Sequence, residues 1–257
     1  RSHKPVHLTG LRYTGPGSQS ARTLNIDIRM IGAGENSRIL LTVDDVSDRV
    51  EKIFELSMLR YINEAIAQKN LKPRKILNMI LTCVTAGSAL GFNRAFLLFV
   101  NKSGTRLVGR MGVGPASRED AYRVWAQIGA EQKTLKDMLA SSGLSAEDAH
   151  METIINRMSF SLREKHNIVV DAITHKKPYK VVNALMDPLV SPVIRELLGS
   201  IEFVVVPMIV RDRAIGAIIA DNIYSMVPIS EEHVQLLTMF ANQAGLVLEI
   251  AEMYKKL

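Results

Sequence analysis

The chain has 257 residues, a formal net charge of +6 and one cysteine, Cys83. One cysteine excludes an intrachain disulfide and a zinc site built on two thiolates, and it is consistent with a reducing, cytoplasmic location. With 47% hydrophobic and 23% charged residues, the composition indicates a packed globular chain of one large domain, or one domain plus a fragment of another. The basic residues form short clusters with acidic residues between them, so we expect no nucleic-acid binding.

The sequence also argues against membrane contact by this chain. Its first residues lack the apolar core of a signal peptide. Residues 76–93 form an uncharged run, but polar residues and glycines interrupt it, which favours a buried amphipathic helix over a membrane span. We expect the chain to be a piece of a longer protein.

A β-hairpin is the first predicted element. Apolar and polar residues alternate over residues 24–30, as in a half-buried strand, and residues 39–43 form the return strand. The glycine-containing turn between them is not a phosphate-binding loop, because that mechanism requires a following helix and a strand follows here.

A long helix is predicted next, over residues 46–68, with a continuous apolar stripe and a cap at Asp45 or Ser47. Two interpretations of the stripe remain open. The helix pairs with its copy in a dimer, or it packs on its own sheet.

The middle of the chain predicts a helix that begins at Pro73 and buries Cys83, then a strand pair over residues 95–112. Residues 115–178 have mostly helical spacing. We expect residues 179–183 to form the middle strand, between this helical region and the strands that follow it in the chain.

The chain ends with strand, turn, strand and one closing helix. Residues 201–210 and 214–222 are apolar runs of strand length. Ser230 is the expected N-cap of the last helix, and Glu231 and Glu232 place negative charge on its first turn.

Three stretches of this last region together resemble the end of a GAF domain, a small sensory module of signalling proteins: VVPMIVRDRAIGAIIADN, PIS and LLTMFANQAGLVLEIAEMY. The stretch NRAFLLFVNKSGTRLVGRMGVGP is similar to the first GAF hairpin, and the resemblance covers about residues 55–257. Residues 44–50, DDVSDRV, resemble the exit of a PAS domain.

The resemblance implies an α+β fold: a GAF-like antiparallel sheet flanked by helices, with long N- and C-terminal helices and a preceding β-hairpin. It divides the chain into a C-terminal PAS fragment (1–45), a linker helix (46–68) and a GAF domain (69–257) with a helical insert (115–178). The helices that surround a PAS cofactor are missing from the fragment, so we expect no cofactor there. For the GAF domain the cofactor is unknown.

Catalytic and metal motifs are incomplete. His150-Met151-Glu152 has the H-x-E of zinc deaminases without their cysteine pair. GAF proteins that reduce free methionine sulfoxide use several cysteines, and the residues after Asn101-Lys102 depart from the cyclic-nucleotide motif of the family. We therefore predict no enzyme activity, no catalytic residue and no metal site. Haem binding through a histidine stays open, although solvated or core histidines are favoured.

The candidate ligand-binding residues are Arg110, Trp125, Asn183 and Asp221. An aromatic ring and a guanidinium near a small cavity suit an anionic or planar ligand, whereas Trp125 can also be a core residue that anchors the helical insert. Asp221 ends the last strand, where it either caps the next turn or points into the pocket.

The resemblance implies a regulatory sensory domain. It would bind a small ligand or partner, form a homodimer through residues 46–68 and 230–257, and relay its state to an output domain such as a histidine kinase. The alternatives are a dimerisation module without ligand, in a transcription activator or a cyclic-dinucleotide synthase, and an enzyme on a GAF-like fold.

Overall fold

The computed structural model describes residues 5–13, 22–32, 37–67, 72–86, 90–115, 117–131 and 149–254. The chain divides into two compact units, Arg1–Ser57 and Met58–Leu257. The strands are β1 (Val6–Tyr13), β2 (Arg22–Ile31), β3 (Arg38–Asp45), β4 (Arg94–Val100), β5 (Arg106–Val113), β6 (Ser159–Ser161), β7 (Tyr179–Val181), β8 (Phe203–Val210) and β9 (Arg213–Asp221). The helices are α1 (Ser47–Ala67), α2 (Pro73–Thr85), α3 (Arg118–Glu131), α4 (Ala149–Arg157), α5 (Ile168–His175), α6 (Pro192–Leu198) and α7 (Glu231–Tyr254).

The first unit contains an antiparallel sheet in the order β1-β2-β3. The predicted hairpin is confirmed as β2 and β3, and β1, which the sequence did not predict, adds a third strand. The strand registers bring one set of apolar side chains to a single face: Val6, Leu8, Leu11, Leu24, Ile26, Ile28, Met30, Ile39, Leu41 and Val43. Much of this face is exposed, since Ile39 retains 73% and Leu41 57% of its accessible surface.

The junction between β3 and α1 is held by side-chain hydrogen bonds. Asp45 Oδ1 accepts from the amide of Ser47 (3.1 Å) and from its hydroxyl (2.6 Å), as expected for a cap at this position. The Ser47 hydroxyl oxygen in turn accepts from the amide of Thr23 at 2.8 Å. The end of the strand therefore fixes the first residue of the helix.

The second unit contains a six-stranded antiparallel sheet in the order β6-β5-β4-β9-β8-β7. Helices α2 and α7 pack together on one face, and α4, α5 and α6 contribute to the core on the other face. The central strands β4, β8 and β9 are buried on both faces, which explains why their sequences are nearly continuous apolar runs.

Two glycines on β5 allow α4 to lie directly on the strand. A Cβ at Gly109 would be 2.4 Å from the carbonyl oxygen of Ile155, and one at Gly112 would be 2.9 Å from the Ile155 side chain. The amide of Gly109 donates to the carbonyl of Met158 at 2.7 Å. The close approach brings the backbone of α4 into direct contact with β5.

The α+β fold class is confirmed, and most predicted elements of the second unit are present within a few residues. Pro73 occupies the first turn of α2. The strand predicted at residues 179–183 is present as β7, which has three residues, lies at the edge of the sheet and pairs with β8. Pro178 precedes this strand and Asn183 begins a turn after it, so the extended segment is short.

The helical insert is described in part. Helical spacing was predicted over residues 115–178; α3, α4 and α5 lie in this range, and residues 132–148 lie outside the described residues. Across the described helices, none has both the length and the hydropathy that a membrane span requires.

Candidate functional site

A buried ion pair lies at one end of the six-stranded sheet, on the face covered by α4, α5 and α6. Arg94 begins β4, Asp221 ends β9, and the two residues are direct partners in the strand register. Arg94 is 3% exposed and Asp221 is fully buried. The guanidinium donates from Nε to both carboxylate oxygens at 3.2 Å and from Nη2 to Oδ2 at 2.5 Å. Each buried charge therefore has an opposite charge in hydrogen-bond contact, which offsets much of its desolvation cost.

Arg94 also connects the sheet to α6. Its Nη2 donates to the carbonyl of Leu198, the last residue of that helix, at 2.5 Å. The helix ends there because Gly199 adopts the left-handed conformation, with φ of 61°. A cation at a helix C-terminus also interacts favourably with the helix dipole.

Two aromatic rings enclose the guanidinium. The Cζ atom of Arg94 is 5.3 Å from the ring centre of Phe96 and 5.8 Å from that of Tyr224, within the range of cation–π contacts. The Tyr224 hydroxyl donates to the carbonyl of Pro115 at 3.3 Å. Tyr224 thus links the ion pair to the segment that follows β5.

Two asparagines fix the loop that leads into α7. Asn93 Oδ1 accepts from the amides of Tyr224 (2.8 Å) and Ser225 (2.7 Å). The backbone N–H of Asn93 donates to Asn222 Oδ1 at 3.2 Å, and Asn222 Nδ2 donates to the backbone carbonyl of Val227 at 2.8 Å. Asn93, just before β4, therefore holds the start of this loop, and Asn222 joins the start of the loop to its end.

The electrostatics of this cluster are those of a closed ion pair. Burial raises the pKa of the Asp221 carboxyl, while the charge and hydrogen bonds of Arg94 act in the opposite direction. Burial also raises the pKa of the Tyr224 hydroxyl, again opposed by Arg94. Because the Asp221 carboxylate is occupied by Arg94 and the Ile223 amide, it is suited to hold elements together rather than to exchange protons with a substrate.

The four sequence-predicted ligand residues lie in different places. Asp221 is in the ion pair, and its contact with the Ile223 amide (3.3 Å) fits the capping alternative. Arg110 is exposed and is the unpaired residue of a β-bulge, since Gly109 pairs with Leu98 and Met111 with Leu97.

Asn183 is exposed, and its Oδ1 accepts from the Leu185 amide at 3.0 Å, which forms a turn. Trp125 belongs to α3, and its side chain lies outside the described residues.

The fold separates two of these residues. Arg110 is on β5 and Asn183 follows β7, four positions away in the strand order. At about 4.8 Å per strand the separation is about 19 Å. One small ligand cannot contact both side chains, so the structure does not bring the predicted set together.

Sequence reasoning missed Arg94, Asn93 and Tyr224. A signal was present, because the pair Asn93-Arg94 directly precedes one buried strand and the pair Asp221-Asn222 directly follows another. Polar pairs at these two positions meet only if β4 and β9 are antiparallel neighbours. That pairing joins residues 127 positions apart, which the local pattern does not specify.

The remaining candidates are the cysteine and the histidines, and those whose side chains the structure describes form no second site. Cys83 is buried in α2, and burial raises the pKa of its thiol to about 12. His175 is exposed, and its Nδ1 lies 3.0 Å from the Asp171 carbonyl. The side chain of His150 lies outside the described residues. Within the described part of the chain, no group of three or more His, Cys, Asp or Glu side chains could hold a metal ion.

Comparison with known proteins gives both a family and a fold. The GAF domain family profile matches residues 80–248. No protein with a curated description matches the chain.

Among solved structures, a segment of a methyl-accepting chemotaxis protein aligns with a TM-score of 0.51 and 17% identity, over 78% of this chain and 99% of that one. The GAF domain of an Acinetobacter phosphoenolpyruvate-protein phosphotransferase aligns with a TM-score of 0.51 and 15% identity, over 79% and 98%. The corresponding domain from Coxiella burnetii also has a TM-score of 0.51 and 15% identity, over 80% and 98%. The family profile covers more than half of the sequence. Its range includes both residues of the buried ion pair and the six-stranded sheet that contains them. The chain therefore belongs to the GAF domain family.

Proposed function

We propose that this chain is a regulatory sensory domain that changes state on binding a small molecule or a partner and passes that state to an output domain, such as a histidine kinase. In this proposal residues 1–45 are the end of a PAS domain, residues 46–68 are a linker helix, and the GAF domain spans 69–257 with its insert at 115–178. The parent protein would act in the cytoplasm. GAF family membership and the chemotaxis and phosphotransferase proteins of the same fold support this reading.

The observation that carries the proposal is the set of contacts made by Arg94. One guanidinium touches the end of α6, the carboxylate at the end of β9 and the ring of Tyr224. Tyr224 belongs to the loop that enters α7. A displacement of α6 would therefore change the contacts of the loop that precedes the long C-terminal helix.

The ligand would be received on the α4–α6 side of the sheet, beneath the helical insert. Arg110, on the bulge of β5, and Trp125, in α3, remain the predicted contacts for an anionic or planar molecule. Because the apolar core between α4–α6 and the sheet is filled by buried side chains, ligand entry requires movement of a helix in this layer.

Dimerisation is proposed through residues 46–68 and 230–257. In α7, Met239 and Leu246 are seven residues apart and 43% and 40% exposed, which is the spacing of one stripe on a helix that pairs with another. In α1, Val50 and Ile53 are 43% and 58% exposed. These apolar side chains favour an intermolecular contact over full solvation.

Sedimentation velocity tests this dimer. We expect the purified chain to be dimeric, and the double substitution Met239→Glu with Leu246→Glu to make it monomeric, because buried unpaired charge opposes association. The control is Leu185→Glu, which changes a 65% exposed leucine outside α7. A wild-type monomer, or a dimer unaffected by the double substitution, would contradict the α7 interface.

Native mass spectrometry with an absorption spectrum of the same sample tests ligand binding. Non-covalent extra mass or visible absorbance supports a ligand sensor and gives the mass to identify. Hydrogen–deuterium exchange with that ligand should then slow exchange in α6 and α7 together. If a saturating ligand changes α6 and leaves α7 unaffected, the proposed relay is wrong.

A dimerisation module without ligand, in a transcription activator or a cyclic-dinucleotide synthase, is the second candidate. The closed apolar core and the internally paired Asp221 favour it, and a bare dimer in the mass spectrum would support it. We propose no enzyme activity for this chain. Its one thiol is buried and of high pKa, which opposes the cysteine chemistry known on this fold.

A further inference from the structure

The first turn of α7 contains a capping box in which the usual acidic or amide residue is replaced by histidine. Ser230 is the N-cap, and its hydroxyl oxygen accepts from the amide of His233 at 3.1 Å. In return, the amide of Ser230 donates to Nδ1 of His233 at 3.0 Å. Reciprocal bonds of this kind normally join Ser or Thr to Glu or Gln at the third helical position.

This geometry fixes the protonation state of the imidazole. A backbone N–H can only donate, so His233 Nδ1 must accept and carries no proton. The ring is therefore neutral, with its proton on Nε2. Protonation of Nδ1 would leave the Ser230 amide facing an N–H group in place of an acceptor, and it would put a positive charge at the positive end of the helix dipole.

The surroundings of His233 determine how it titrates. Its ring is half-buried, with its centre 5.7 Å from that of Phe92, which precedes β4. The charged groups that act on it are Glu232 of the same helix, Lys180 of β7, which pairs with Glu231, and Glu202 before β8, whose carboxylate accepts from the Ile229 amide at 3.1 Å.

Burial dominates over these charges and lowers the pKa of His233 from its ordinary value of 6.5, with Lys180 acting in the same direction and the two glutamates Glu232 and Glu202 opposing. In the unfolded chain the ring titrates at its ordinary value. The contribution of the box to stability is therefore complete above pH 6.5 and is lost as the pH falls through the lower pKa of the folded state.

We propose that the Ser230–His233 capping box is a pH-sensitive switch, in which protonation of His233 Nδ1 breaks its bond with the Ser230 amide and releases the first turn of α7. This inference concerns the chain's own conformational equilibrium and does not rest on the proposed sensory function. Since α7 packs on both β8 and α2, a released first turn loosens the helix that covers this face of the sheet.

The test is amide hydrogen exchange by NMR between pH 7.5 and 5, corrected for the pH dependence of intrinsic exchange. In the wild-type chain, we expect protection of the amides at positions 230 and 233 to fall about five- to tenfold on acidification, the loss expected when one helix cap is removed. His233→Gln keeps a neutral acceptor at the same position and all the neighbouring charges, so its protection should stay constant over this range.

Ser230→Ala separates the two bonds of the box. It removes the acceptor for the amide at position 233, whose protection should be low at every pH, while the amide at position 230 keeps its pH-dependent step. The imidazole resonances missing from His233→Gln identify His233, and in the wild-type chain they should show the Nε2–H tautomer near neutral pH.

Four results would overturn the proposal. They are an Nδ1–H tautomer, a ring that stays neutral down to pH 5, protection that persists after the ring is shown to be protonated, and an equal pH step in His233→Gln. The tautomer is measured in the wild-type chain, where through-bond correlation to its own backbone also assigns the His233 ring, so it decides the question even if a variant folds poorly.

Discussion

The two sheets of this chain use similar residues in opposite ways. The six-stranded sheet is covered on both faces, and Leu98 at its centre has no exposed surface. The three-stranded sheet also has an apolar face, but Leu41, on its edge strand β3, retains 57% of its accessible surface. The difference shows that strand pairing alone does not bury a side chain; helices packed against a sheet do.

The same contrast holds for charge. Each sheet has an aspartate at the end of a strand paired with an arginine at the start of another: Asp221 with Arg94, and Asp45 with Arg22. Asp221 is fully buried, whereas the side chains of Arg22 and Asp45 are 66% and 39% exposed. Matched substitutions in the two sheets therefore measure what burial adds to chemically identical groups.

The largest difference is expected for Asp221→Asn compared with Asp45→Asn. Removing the charge of Asp221 leaves the Arg94 guanidinium buried without a counter-ion, and we expect a loss of about 3–5 kcal/mol in unfolding free energy. Asp45→Asn keeps an oxygen that accepts from Ser47 and changes an exposed pair, so its denaturation midpoint should stay near that of wild type. Equal losses in urea denaturation followed by circular dichroism would mean that burial of the ion pair is unimportant.

The second pair is Leu98→Ala and Leu41→Ala. The first truncation opens a cavity in the core between α4–α6 and the sheet and should cost about 2–5 kcal/mol. The second removes a mostly exposed side chain and should change the unfolding free energy by about 0.5 kcal/mol or less. A loss at Leu41 as large as that at Leu98 would show that the apolar face of the three-stranded sheet is covered in solution, for example by a second copy of the chain.

The third pair compares two strand glycines, Gly216 and Gly10. A Cβ at Gly216 would be 2.2 Å from the carbonyl oxygen of Leu98, so Gly216→Ala must displace β4 and should cost about 1–3 kcal/mol. At Gly10 nothing lies within 4 Å of an added Cβ. Gly10→Ala should still lower the unfolding free energy by about 1 kcal/mol, because alanine must adopt the left-handed backbone conformation, with φ of 69°. Thermal unfolding of the two variants gives the comparison, which fails if Gly10→Ala is the more destabilised.

The last prediction uses Cys83 without substituting it, so stability is unchanged. The reactivity of its thiol reports on opening of the six-stranded region. Its thiol is buried, with a pKa of about 12, so Ellman's reagent should react with it only when α2 moves away from its packing neighbours. Leu98→Ala should accelerate this reaction by about tenfold for each 1.4 kcal/mol of lost unfolding free energy, because the thiol reacts from the opened state. Fast labelling of the wild-type thiol at pH 8 would show that α2 is less well packed than the structure indicates.

Local pattern predicted most elements of the second unit. Proline at the start of α2, serine before α7 and continuous apolar runs in β8 and β9 act over a few residues, so their effects can be read in the sequence. The short strand β6 was missed and β7 is shorter than predicted, because three residues carry no usable periodicity and their partners are set by the rest of the sheet.

The candidate site shows where local pattern stops. Asp221 was selected as a polar residue at the end of a strand, but its partner Arg94 was not, and the separation of Arg110 from Asn183 could not be foreseen. The role of His233 was hidden for a different reason, since a histidine in the first turn of a helix identifies no partner until the rotamer brings Nδ1 to the Ser230 amide.

The sequence by itself determined the positions of the long elements, since these follow from hydrophobic periodicity and capping residues close to one another in the chain. Its motifs also carried the family resemblance, which implied the fold class. Only the tertiary structure decided the strand order, the Arg94–Asp221 pair and the exposure of one sheet face compared with the other. Strand order joins residues more than a hundred positions apart, and burial depends on which surfaces meet, so neither property is carried by the local order of residues.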